Sequence, residues 1–210
     1  MNAALPKKGH PRGLYVLFFT EMWERFGYYL MVGILYLYLR DTISNGGRGM
    51  DVGAASSIVG SYVALVYLTP FLGGLIADRF IGYRISIFMG GALMALGYFL
   101  MAVPHSGVLM YAALGLVIIG NGFFKPNIST LLGNIYNKEE LKPKKDVAYN
   151  IFYMGINIGA FICNFVAAYL RINYSWGYAF AAAGFGMLLS VTILAIGQKY
   201  VKHADVIKPV

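Results

Sequence analysis

Four ionisable side chains sit in stretches otherwise apolar enough to cross a bilayer: Glu21, Glu24 and Arg25 in F-F-T-E-M-W-E-R-F, and Lys125 in G-N-G-F-F-K-P-N. A charge at membrane depth costs roughly 2.5–3.5 kcal/mol on insertion scales unless it is paired or wetted. Four together point to a polar, transporting interior. Two carboxylates and two cations sum to zero when all are ionised, so the group can satisfy itself in a dry environment. Protonating Glu21 or Glu24 leaves one positive charge in excess, which favours capture of an anion such as a carboxylate. The anion in turn competes with the glutamate for Arg25 or Lys125 and favours its protonated form. Proton and anion then bind with positive linkage, which is the chemistry of a proton symporter.

The spacing says how these groups are presented. Glu21 and Arg25 stand at i and i+4, so they can pair along one helix face, which continues through Tyr28 or Tyr29, Val32 and Tyr36, with Glu24 at its flank. Asn121, Lys125 and Ser129 stack at the same interval, and Pro126 removes a backbone hydrogen bond beside the lysine. Asn150, Asn157 and Asn164 recur every seven residues, with Tyr153 one turn before Asn157. Plainer readings stand beside these: an ion pair that only neutralises itself, a lysine reaching for the interface, and asparagines that bond between helices.

The elements that carry these residues must be membrane spans. The chain has 210 residues, of which 59% are hydrophobic and 12% charged, whereas soluble domains carry about 25% charged residues. Apolar stretches of about 20 residues cross a ~30 Å hydrocarbon core. Six are expected, over about 14–39, 54–77, 85–103, 108–134, 147–170 and 177–198, within a six-helix bundle covering 1–200; residues 201–210 read as a tail or the start of a linker. Period-2 alternation is absent, so the fold class is an all-α membrane protein. The first apolar run is too long and too charged for a signal h-region, so a true span is expected.

Lysine and arginine fix the orientation. Twelve lie in the N-terminal arm (Lys7, Lys8, Arg12), the second and fourth loops and the C-terminal tail (Lys199, Lys202, Lys208); three lie in the alternate loops. Both termini are expected to be cytoplasmic, with the chain multi-pass in the cell membrane. The net charge of +8 is explained by a basic face against anionic lipid and needs no nucleic acid. At 1.5 Å per residue, Glu21 lies roughly 10 Å in, Arg25 roughly 16 Å, Lys125 roughly 14 Å and Asn157 roughly 15 Å, so polar groups of three helices meet at one level. The lone cysteine, Cys163, lies in an apolar run, and no metal site is expected. No nucleophile, base and orienting group share a recognisable spacing, so an enzyme is not expected.

The segment E-M-W-E-R-F resembles the E-x-x-E-R-[FY] motif of the proton-dependent oligopeptide transporter family, a branch of the major facilitator superfamily. F-Y-M-G-I-N-I-G-A-F (152–161) is similar to its fifth-helix signature, and G-L-I-A-D-R-F-I-G-Y-R (74–84) to the superfamily's loop motif. Lys125 falls where the family carries a fourth-helix lysine, and the resemblance runs from about Pro11 to Lys199. It implies one half of a 6+6 bundle and proton-coupled symport of di- and tripeptides, with protons as the coupling ion and no cofactor. It further implies proton coupling by Glu21, Glu24, Arg25 and Lys125. Substrate binding would fall to Arg25, Tyr29, Tyr67, Lys125 and Asn157, and an inner-gate latch to Asp78 and Arg79. The partners implied are a small peptide, the proton, the bilayer and a second six-helix half.

Two departures matter. Val32 stands where bacterial relatives often carry an arginine, so uptake of another small anion, such as nitrate, a carboxylate or a modified peptide, stays open. The chain stops at Y-V-K-H-A-D-V-I-K-P-V, just after the sixth span, so it is expected to be a fragment or one of two split halves. A non-transporting membrane scaffold is the remaining alternative.

Overall fold

The computed structural model describes residues 9–103 and 106–206; Lys7, Lys8 and Lys208 of the charge count, and part of the loop before α4, lie outside them. Six long helices follow in order: α1 (Arg12–Arg40), α2 (Val52–Ile76), α3 (Tyr83–Ala102), α4 (Gly107–Ile135), α5 (Lys145–Asn173) and α6 (Trp176–Gly197). Their starts follow from local chemistry. Pro11 sets the extended turn before α1. The Asp51 carboxylate accepts from the Ala54 N–H at 2.9 Å, and the Ser106 hydroxyl from the Leu109 N–H at 3.3 Å, capping α2 and α4. Among the described residues, five helical segments (Val52–Ile81, Tyr83–Ala102, Gly107–Ile135, Lys142–Asn173, Trp176–Tyr200) are long and apolar enough to cross a membrane. α1 matches them in length, at 29 residues, and carries Glu21, Glu24 and Arg25 within it.

One expected boundary shifts. Asp78 and Arg79 read as a polar loop, yet the chain stays helical through them as a π turn, Ala77–Ile81. It reverses only at Gly82, whose φ of 78° is open to glycine at little cost. Asp78 is half-buried and Arg79 exposed on this turn.

α1 packs between α5 and α6, α3 between α4 and α6, and α2 lies along α4. Close approach of backbones makes these crossings. A Cβ on Gly159 would sit 2.3 Å from the Met22 carbonyl oxygen of α1, and one on Gly73 only 2.1 Å from the Gly122 oxygen of α4. Pro126 explains that last oxygen's freedom, since a proline has no N–H to return to the carbonyl four residues earlier.

Both ends are tied by polar contacts that the sequence pattern did not point out. At the end where the chain begins, the Asp205 carboxylate accepts from the Tyr83 N–H at 2.8 Å and the Arg84 N–H at 3.3 Å, while the Arg84 guanidinium also reaches Gln198. At the opposite end, Asp41 accepts from Asn45 Nδ2 at 3.0 Å, Arg171 Nη2 at 2.5 Å and Trp176 Nε1 at 2.9 Å, joining α1 to α5 and α6. Arg171 stacks over the Trp176 ring at 4.3 Å.

Gly73→Ala must push α2 off the α4 backbone and should cost about 1–3 kcal/mol, read as a lower melting temperature in detergent. Gly60→Ala, in the same helix with nothing within 4 Å, should be neutral or raise it slightly. The hydrogen bonds from Asn45, then Arg171 and Trp176, hold the Asp41 carboxyl down to about 2. An unfolded aspartate titrates near ~3.9, so this contribution is complete above that pH and is lost as pH falls toward about 2. Melting curves of the Asp41→Asn protein should therefore start lower at pH 6 and fall less steeply below pH ~4 than those of the wild type.

Candidate functional site

The charged group of α1 is buried: Glu21, Glu24 and Arg25 are 2%, 0% and 3% exposed. Arg25 directs Nε and Nη2 to the two oxygens of Glu24, the second at 2.6 Å, and Nε also lies 3.3 Å from Glu21 Oε1. The guanidinium rests on the Tyr28 ring at 4.7 Å. The i,i+4 pair anticipated from spacing is therefore present, while the tighter partner is the adjacent glutamate. Neighbours one apart do not share a helix face, so spacing points away from this contact; the long arginine side chain turns back to make it.

Asn121 of α4 completes the group. Its Oδ1 accepts from Arg25 Nη2 at 3.3 Å, and its Nδ2 donates to the Val66 carbonyl of α2 at 3.1 Å. That carbonyl is the one Pro70 leaves without a helical N–H, because proline removes the i to i−4 bond. A proline in α2 thus frees the acceptor that orients an α4 amide, which in turn steers the arginine of α1. The sequence placed Asn121 in a polar stack without giving it a role; the signal that could have done so is Pro70, four residues after Val66.

Lys125 stands apart from this triad. It is half-buried, with Nζ 4.9 Å from the centre of the Tyr67 ring, and makes no ion pair within 4.0 Å among the described residues. α4 runs antiparallel to α1, so moving one turn from Asn121 to Lys125 matches moving one turn from Arg25 to Glu21, about 6 Å in each helix. Lys125 is therefore level with Glu21. The neutral cluster expected from counting charges is resolved into a buried triad of two carboxyls and one guanidinium, with Lys125 as a separate group. Glu21 Oε2 is buried without a hydrogen-bond partner among the described residues.

The remaining candidates lie on exposed faces. Tyr67 is 65% and Tyr29 37% exposed, with the Tyr29 ring edge-on to Tyr28 at 5.2 Å. Asn150, Asn157 and Asn164 are all exposed on α5, and Asn164 donates to its own helix at the Ala160 carbonyl, 3.1 Å away. The stripe does not bond to another helix of this chain among the described residues. Val32 is half-buried against the core of α1.

An all-helical, multi-pass membrane protein with buried ionic groups at mid-span is the class these features define. Comparison with known proteins narrows it: residues 84–209 match the model of the POT family. The chain belongs to that family, the proton-dependent oligopeptide transporters of the major facilitator superfamily. It is 42% identical over 199 residues to an uncharacterized transporter of Bacillus subtilis (strain 168), covering 93% of this chain and 40% of that one. It is 43% identical over 180 residues to a di-/tripeptide transporter of Lactococcus lactis subsp. lactis, covering 84% and 36%. A crystal structure of a POT family transporter in complex with thioalcohol conjugated peptide superposes with a TM-score of 0.90 at 34% identity, over 96% of this chain and 41% of that one. The chain thus spans about two fifths of the length of these relatives.

The Asn121 linkage is testable by a double-mutant cycle. Asn121→Leu strands the Val66 carbonyl and one arginine N–H, which should cost about 1–3 kcal/mol of unfolding free energy. Pro70→Ala returns a helical N–H to Val66, so the loss in the Asn121→Leu, Pro70→Ala protein should be smaller than the sum of the single effects. Strict additivity of the two melting shifts would remove the linkage.

Proposed function

We propose that this chain supplies the proton-coupling and carboxylate-binding wall of a proton-driven symporter for di- and tripeptides. It would sit in the cytoplasmic membrane with both termini inside, facing a second six-helix half across the substrate cavity. The observation that carries the reading is the division of charge: one arginine shared by two buried glutamates, and a level, half-buried Lys125 with no carboxylate of its own among the described residues. The names of the relatives, di-/tripeptide transporter among them, support the choice of substrate class.

A peptide carboxylate entering between Arg25 and Lys125 gains two cations. It draws the guanidinium from the glutamates, and a buried carboxylate deprived of its cation takes up a proton instead. Binding of substrate and proton thereby favour one another, and neither need cross alone. Glu21 is the candidate first acceptor, since it holds Arg25 at 3.3 Å through one oxygen while Glu24 takes two donors. Tyr29, Tyr67 and Asn157 would line the pocket on the exposed face, and Asp78 with Arg79 would act at the inner gate. Protons are the only coupling species required, without a cofactor, and no step calls for catalysis.

The test is uptake of labelled dialanine into liposomes holding this chain together with its second half. Glu24→Gln and Lys125→Ala should each lower accumulation driven by a pH gradient at least about tenfold, equivalent to ~1.4 kcal/mol. Accumulation retained by both variants sinks the reading. Saturable, proton-driven uptake by the purified chain alone would sink the need for a second half.

A further inference from the structure

Two phenols buried beside the triad have no part in the scheme above. Tyr62 of α2 is 2% exposed and Tyr98 of α3 is 0% exposed, and neither hydroxyl has a hydrogen-bond partner among the described residues. Tyr98 presses its ring against Gly27, where a Cβ would meet Cε2 at 3.2 Å; Gly27 lies three residues beyond Glu24 on α1. Tyr62 lies one turn before Val66, whose carbonyl holds Asn121 against Arg25. Each phenol lies within the electrostatic reach of Glu24 and Arg25, and Tyr98 within that of Tyr62. Phenylalanine would fill the same volume without burying an unpaired O–H, so packing does not account for the hydroxyls.

Resting on the symport reading, we propose that Tyr62 and Tyr98 are standby donors to Glu24: when an anion draws Arg25 away, their hydroxyls bind the carboxylate oxygens that the guanidinium releases. They thereby set how readily Glu24 accepts the coupling proton. A phenol keeps its own proton in such a site and donates it as a hydrogen bond, which favours the ionised carboxylate. The Glu24 oxygens are the acceptors within the same buried neighbourhood. The ionisable groups around them are Glu21, Glu24, Arg25, Tyr28 and Tyr29 from α1, Tyr62 and Tyr67 from α2, Tyr98 from α3 and Lys125 from α4. Of these, Tyr62 and Tyr98 are the two that combine full burial with an unused donor. Both are positioning residues; neither needs to touch the substrate.

The experiment is an infrared titration of the protonated carboxyl C=O band, on the chain reconstituted with its second half in nanodiscs, for the wild type, Tyr62→Phe and Tyr98→Phe. Glu21→Gln and Glu24→Gln assign the band. With saturating 13C-labelled dialanine, each phenylalanine variant should keep the band to a pH higher by about one unit, a tenfold change in proton affinity. Without ligand, where Arg25 holds the carboxylates, the titration should be unmoved and the melting temperature unchanged or higher. A titration unmoved with ligand, an equal shift with and without it, or a melting temperature lowered by several degrees with no shift each overturns the proposal. If dialanine fails to raise the wild-type melting temperature, the symport reading fails by itself. Sulfate, which has no C=O band, then serves as the anion for Arg25, with the same outcomes deciding.

Discussion

Arg25 binds two carboxylates and one amide through a single buried guanidinium, and the crossing of three helices is organised around holding it there. An isolated buried arginine would be intolerable at this depth, so its partners must be in place whenever the chain is folded. Glu24 and Glu21 come from its own helix and are present by covalent geometry. Asn121 comes from α4, and is oriented only because Pro70 has freed the Val66 carbonyl in α2. The break in one helix is thus the hydrogen-bond acceptor of another, and the triad inherits its orientation from that exchange. Pro126 acts in parallel: it releases the Gly122 carbonyl at the point where Gly73 lets α2 and α4 come closest.

This construction separates what is fixed from what can change. The α2–α4 and α1–α5 contacts are backbone against backbone across glycine, and cannot adjust without moving whole helices. The ionic contacts are side chain to side chain, and can be exchanged by rotamer changes alone. Arg25 has three acceptors and can give one up to an anion while Asn121 still anchors its far nitrogen. Lys125, resting on Tyr67 rather than on a carboxylate, can approach an anion without breaking an ion pair. A rigid frame around exchangeable charge is the condition under which local protonation is felt as a change in anion affinity instead of as loss of structure.

Much of this was legible in the sequence, because the signals were of the kind a single chain carries. Long apolar runs gave six helices with boundaries within a few residues, and four charges inside them marked a candidate site. The i,i+4 rule paired Glu21 with Arg25, and the antiparallel count put Lys125 level with them. What escaped was set by tertiary placement. The Glu24 contact breaks the spacing rule because an arginine side chain is long enough to turn back on its neighbour. Asp41, Arg171 and Trp176 meet from three helices whose order around the bundle no local pattern encodes, as do Asp205 and Arg84 at the other end. Asp78 and Arg79 look like loop residues by composition, and stay helical because the first residue able to reverse the chain is Gly82.

The two ends of the bundle are held by different chemistry, and this bears on how the middle can respond. Asp41 gathers an amide, a guanidinium and an indole on one carboxylate, so α1, α5 and α6 are fastened to one another at that end. At the opposite end Asp205 caps the first N–H groups of α3, using the chain beyond α6 to hold the turn that carries Asp78 and Arg79. Neither α2 nor α4 takes part in the Asp41 knot, and both bear the prolines that loosen their ladders near the triad. The two sides of Arg25 are therefore held differently: α1 is pinned to α5 and α6, while α2 and α4, which carry Tyr67 and Lys125 and are joined by the Thr69 hydroxyl donating to the Ile118 carbonyl at 3.0 Å, meet the arginine through Asn121.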